Sequence, residues 1–174
     1  MPFTDLLAGE ELEADPLNTT FDETLWTKHQ QADETNNTTA LQNSTYLSFA
    51  LPASSEWIFS ACTFYTADAL ADFKVDFSLN GSATDFLRIS PWGTVPANTG
   101  TQNSLVHSAT DAFVNVTLTA HGAGAGQLLT MRPTGFIDVD TAPATFRVKF
   151  AQNTAHASLA TLRRGSYVQL TRVG

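Results

Sequence analysis

From residue 44 onward apolar and polar positions alternate with a period of two, the spacing of strands that bury one face. In Tyr46-Leu47-Ser48-Phe49-Ala50-Leu51 the alternation sets Leu47, Phe49 and Leu51 on one side before Pro52 stops the run. Residues 56–66 form a longer strand with aromatics on both faces, and Asp72 to Leu79 alternates almost without fault, with Phe73, Val75, Phe77 and Leu79 directed inward. Asn80-Gly81 then predicts a turn, with a return strand over 84–90. Strands are predicted again at 112–120, 127–132, 135–140, 144–152 and 166–173, and no helical period appears after residue 40. About eight to ten short strands separated by turn residues define the expected class: all-β, an antiparallel β-sandwich or jelly roll over residues 44–174.

Residues 1–43 lack that order and read as an N-terminal arm and linker. Phe3, Leu6, Leu12, Phe21, Leu25 and Trp26 are irregularly spaced, Gly9 and Pro16 interrupt any long helix, and residues 30–39 hold almost no apolar side chain. Large apolar residues in such an arm are costly to leave in water. These six are therefore the expected assembly anchors.

Charge sharpens the division. The chain has 174 residues and a net charge of −8. Residues 1–40 hold Asp5, Glu10, Glu11, Glu13, Asp15, Asp22, Glu23, Asp33 and Glu34 against Lys28 alone, so the arm accounts for the whole imbalance and the remainder is neutral. An acidic chain repels a phosphate backbone, which argues against nucleic acid as partner and favours a basic protein surface. The start Met-Pro-Phe-Thr-Asp lacks a basic, apolar export signal, and no apolar run reaches the length of a membrane span, so neither export nor membrane insertion is expected.

Candidate chemistry is sparse. Cys62, the one cysteine, lies in an apolar run and reads as a small buried hydrophobe. The four histidines, His29, His107, His121 and His156, have no metal-type spacing, so no metal and no cofactor is expected. Asp138/Asp140 and Asp72/Asp76 are spaced as strand pairs and read as solvated faces. No serine sits in a nucleophile elbow, and the Gly122–Gly126 run precedes a strand rather than the helix a phosphate loop needs, so a hairpin tip is expected and no catalytic residue is assigned. The loop at 91–104, with Trp92, Asn98, Thr101 and Asn103, is the candidate ligand or host-contact loop, because a loop tryptophan can stack on sugar.

The segment Ala144-Thr-Phe-Arg-Val-Lys-Phe-Ala-Gln-Asn-Thr, followed by Leu162-Arg-Arg-Gly-Ser-Tyr-Val-Gln-Leu-Thr-Arg-Val-Gly174, resembles a C-terminal pattern of tailed-bacteriophage virion proteins. In that pattern a strand ending in Ala-Gln-Asn is followed by a polar hairpin and a final Gly-Ser-Tyr strand. Ala71-Asp72-Phe73-Lys74 is similar to another strand of the same family, and Leu7-Ala8-Gly9-Glu10-Glu11-Leu12 with Leu17-Asn18 looks like its leader. Val168 stands where leucine is usual, and Pro16 interrupts a leader that is usually helical. The resemblance implies a non-enzymatic structural protein of the virion: a capsid decoration or minor capsid protein, homo-oligomeric and often trimeric, with the major capsid protein or neighbouring appendage subunits as partners. The alternative it implies is a tail fibre or tail-tip component that binds host glycan.

Overall fold

The computed structural model describes residues 24–80, 86–90, 110–112, 115–124 and 126–174. Thirteen strands occur among them: β1 (Leu25–His29), β2 (Glu34–Asn36), β3 (Gln42–Leu51), β4 (Ser55–Thr66), β5 (Phe73–Asn80), β6 (Phe86–Ser90), β7 (Thr110–Ala112), β8 (Asn115–Ala120), β9 (Leu129–Met131), β10 (Thr134–Val139), β11 (Ala144–Gln152), β12 (Ala160–Leu162) and β13 (Tyr167–Arg172). All pairings are antiparallel. The larger sheet runs β1-β13-β4-β10-β6-β7, with β12 and β9 on the C-terminal half of β4 and β2 beyond β12; the smaller runs β3-β11-β5-β8.

The two sheets form the expected sandwich. Alternate residues of β3, β5 and β11, including Phe49, Phe73, Phe77, Phe146 and Phe150, meet Trp57, Phe59, Ile137, Val168 and Leu170 of the larger sheet in a single buried cluster. Phe59 lies 5.2 Å from Phe146 and 5.6 Å from Phe77, ring centre to ring centre, so the aromatic richness of the sequence is spent at the centre of the interface between sheets. More strands are found than the alternation predicts because β2, β7 and β12 are only three residues long, too short for a period to register, while β9 falls within the strand expected at 127–132.

Residues 25–43 differ from the arm-and-linker reading. Strand β1 pairs with β13 over its full length, and β2 pairs with β12. Between them the chain is fixed by polar rather than apolar burial. Gln30 is fully buried, accepts from Ser44 Oγ at 2.9 Å and donates to the Ala32 carbonyl, while its backbone binds Ser166 and Gly165. Asn36, also buried, donates to the carbonyls of Ala40 and Phe150 and accepts from Thr38 N. A hydropathy pattern is blind to an anchor made of amides, which explains why this stretch reads as a linker.

Candidate functional site

The predicted site residues fall into two groups. Phe3, Leu6, Leu12 and Phe21 lie outside the described residues, as do Trp92, Asn98, Thr101 and Asn103 of the candidate ligand loop. Leu25 and Trp26 are described and diverge. Trp26 faces inward on β1 and packs against the core, whereas Leu25 lies on the outer face and is 45% exposed.

That outer face of the larger sheet is poor in charge across β1, β13, β4 and β10, whereas on β6 and β7 the register brings in Arg88 and Asp111. Register places Leu25, Thr171, Ile58 and Phe136 in one row across β1, β13, β4 and β10, and Thr27, Gln169, Ser60 and Thr134 in the next. Leu25, Ile58 and Tyr167 are exposed apolar or aromatic members of this face. Opposed Glu56 and Asp138 are the carboxylates at one end of these rows. The outer face of the smaller sheet instead bears Lys74, Arg147 and Lys149.

At the other end of the face, where β12 and β9 flank β4, lies an open groove of about 370 Å³ lined by Asp33, Phe64, Thr66, Gly126, Leu128, Arg163 and Arg164. Leu128 is 60% exposed. Asp33 holds the rim together: its carboxylate meets the Arg163 guanidinium at 3.0 Å and accepts from the Arg164 backbone N–H at 2.7 Å. Gly165, at φ +90°, makes the turn that presents both arginines, and buried Ser166 locks that turn to the Phe64 and Arg163 carbonyls. Nothing in the hydropathy pattern announces this groove. The adjacent arginines before Gly165 are the signal that could have found it.

The carboxylate pairs do not form sites. Asp72 precedes β5 with φ +55°, accepts from Gly122 N and meets His121 Nδ1 at 3.3 Å. Asp76 is only 1% exposed, which corrects its reading as solvated: it accepts from Thr117 Oγ1 at 2.8 Å and faces Lys149 Nζ at 3.6 Å. Asp76 Oδ2 and the neighbouring Ser78 Oγ are buried without a hydrogen-bond partner. Cys62 is buried against Thr130 at 3.5 Å. The glycine run reads differently from a free hairpin tip, because Gly122 packs directly on the backbone of Ala67 and Asp68, and Gly124 N donates to the Ala67 carbonyl. Tyr65 Oη donates to the His121 carbonyl at 3.1 Å, and burial, with a smaller push from the Asp72 carboxylate, raises its phenol well above the usual range. Among the described residues no three histidine, cysteine or carboxylate side chains converge to hold a metal.

Fold and contacts together define an all-β, two-sheet antiparallel sandwich in which the polar side chains of the described residues chiefly secure turns and sheet ends. No family model matches the chain, and no curated protein sequence matches it. Among solved structures it is similar to the tripod (BppUct-A-L) from the baseplate of bacteriophage Tuc2009, with 8% identity and a TM-score of 0.37 over 98% of this chain and 75% of that one. It is also similar to the VP2 subviral particle of infectious bursal disease virus, with 12% identity and a TM-score of 0.26 over 85% of this chain and 40% of that one.

Proposed function

We propose that this chain is a non-enzymatic structural subunit of a tailed-phage virion, a capsid decoration or minor capsid protein held to its assembly by the acidic N-terminal segment. The observation that carries the reading is the part played by the residues of the C-terminal pattern. Gln152 of Ala-Gln-Asn is fully buried and pins the following turn through His156 and Ser158, and Gly165-Ser166-Tyr167 sets the turn into β13. The pattern is thus one of architecture, as expected of a motif shared by structural proteins rather than by enzymes.

The charge-poor outer face supports contact with other protein. A sheet face with exposed Leu25, Ile58 and Tyr167, and with no charged residue in the two rows where they cross β1, β13, β4 and β10, suits burial against a neighbouring subunit, in a closed homo-oligomer such as a trimer or against the major capsid protein. The test is incorporation. Full-length protein added to, or expressed with, particles that lack it should co-sediment with them, and the form without residues 1–23 should stay in the supernatant. Equal incorporation of both forms would remove the anchoring role, and absence of the full-length protein from every particle fraction would remove the virion assignment.

A further inference from the structure

The outer face of the larger sheet is polar along its length in both senses. Strand β1 starts beside Thr171 and Ile58 and runs toward the groove, so the chain enters β1 at the end of the sheet away from it. That end carries Glu56 and Asp138, and residues 1–23 hold Asp5, Glu10, Glu11, Glu13, Asp15, Asp22 and Glu23 with no lysine or arginine. Like charges of Glu56 and Asp138 oppose docking of so acidic a segment on that end of the sheet. The opposite end, roughly 33 Å further along β4 from Glu56 to Thr66 at about 3.3 Å per residue, presents Arg163 and Arg164 over Phe64 and Leu128.

We infer that this groove receives the acidic N-terminal segment of a second copy of the chain, so that copies join head to tail. This rests on the structural-subunit reading above and names the partner of its anchor. The chemistry matches at both levels. Phe64 and Leu128 offer an apolar floor to the leucines at 6, 7, 12 and 17, which alternate with acids in the segment. Asp33 occupies one side of Arg163, and the guanidinium of Arg164 is left to meet Glu10, Glu11 or Glu13. Length suffices, since 23 residues reach about 75 Å when extended. A contact between unlike surfaces either closes into a ring or propagates, so the groove would also set the copy number.

The test uses the full chain in a Cys62→Ala background. Leu128→Cys is combined in one sample with a second chain bearing Leu7→Cys, Leu12→Cys or Leu17→Cys, and the mixture is oxidised. The expected result is a mixed disulfide between two copies for at least one leader position, reduced at least tenfold by Arg163→Glu with Arg164→Glu and regained when Glu10, Glu11 and Glu13 are changed to arginine. Absence of the mixed disulfide at all three positions overturns the inference. So does a disulfide that forms only within one chain carrying both cysteines, or one indifferent to the charge reversal. Particle incorporation is scored separately. Protein that enters particles without forming the link refutes the groove alone, and protein that links but never enters particles refutes the virion reading alone.

Discussion

The indole of Trp26 lies 4.5 Å from that of Trp57, centre to centre and tilted by 39°, which ties the first described strand to the floor of the sandwich. Arg172 also lies over the Trp57 ring, with its guanidinium 6.0 Å from the ring centre. Trp26 therefore acts within the body. Trp26→Ala is expected to cost about 2 to 3 kcal/mol, somewhat below the range for a fully enclosed aromatic. Urea unfolding monitored by the remaining tryptophans will measure it, and a loss under about 0.5 kcal/mol, the scale of an ordinary surface change, would show that the stack contributes little.

Two truncations separate the leader from the body. Removal of residues 1–23 should leave the unfolding midpoint within a few degrees of the parent, because every pairing of β1 is kept. Removal of residues 1–40 takes away β1, β2, Gln30 and Asn36, and should leave β13 and β12 each with an unpaired edge. Circular dichroism melts of the two forms will tell them apart, and similar melts would return residues 25–40 to the status of a linker.

Gly122 is constrained by space. A Cβ there would overlap the Asp68 carbonyl oxygen and lie 2.8 Å from that of Ala67, both backbone atoms. Gly122→Ala should cost about 2 kcal/mol, in the range of overpacking a filled site, whereas Gly124→Ala meets no neighbouring atom and is opposed only by its φ of +106°. Thermal melts of the two variants should rank Gly122→Ala as the more damaging.

Tyr65 gives the fold an alkaline limit. Its phenol keeps the proton in the folded chain well above the pH at which it ionises in the unfolded chain, near 10. Its contribution is thus fully present below about pH 10 and is lost as pH rises beyond that. Tyr65→Phe should lower stability near neutrality by about 1 kcal/mol through the lost bond to the His121 carbonyl, and the gap to the parent should narrow above pH 10. A gap constant from pH 8 to pH 11 would contradict this.

Asp76 and Lys149 form the ion pair whose loss is costly on one side only. Lys149→Met leaves a carboxylate buried with one hydrogen bond, from Thr117, and should destabilise by about 3 kcal/mol. Adding Asp76→Asn should recover most of that, and chemical denaturation of the single and double variants completes the cycle. If the double variant is no better than Lys149→Met alone, the penalty comes from lost packing of the lysine stem.

The long strands were legible because each alternates over at least five residues. Leu47, Phe49 and Leu51, Phe73 through Leu79, and Phe146 through Phe150 are buried on the faces the alternation assigns. Two kinds of element escaped. The three-residue strands β2 and β12 have no measurable period, and the stretch from Gln30 to Asn36 is held by side-chain amides bonded to Ser44 and Phe150 and by the Gln30 backbone bonded to Ser166, partners that are distant in sequence or polar themselves. The groove escaped for a related reason. Asp33 and Arg163 are 130 positions apart, and only the pairing of β2 with β12 brings them together.

The pairing of β1 with β13 has a consequence for synthesis. Leu25 and Thr171 are partners, so β1 cannot find its edge until Thr171 has left the ribosome. Closure from Leu25 to Thr171 has the entropy cost of a very long loop, which places this fold among the slower β topologies. Until then Trp57 is without the indole that covers it, and the nascent chain has an aromatic surface open to neighbours emerging from the same message.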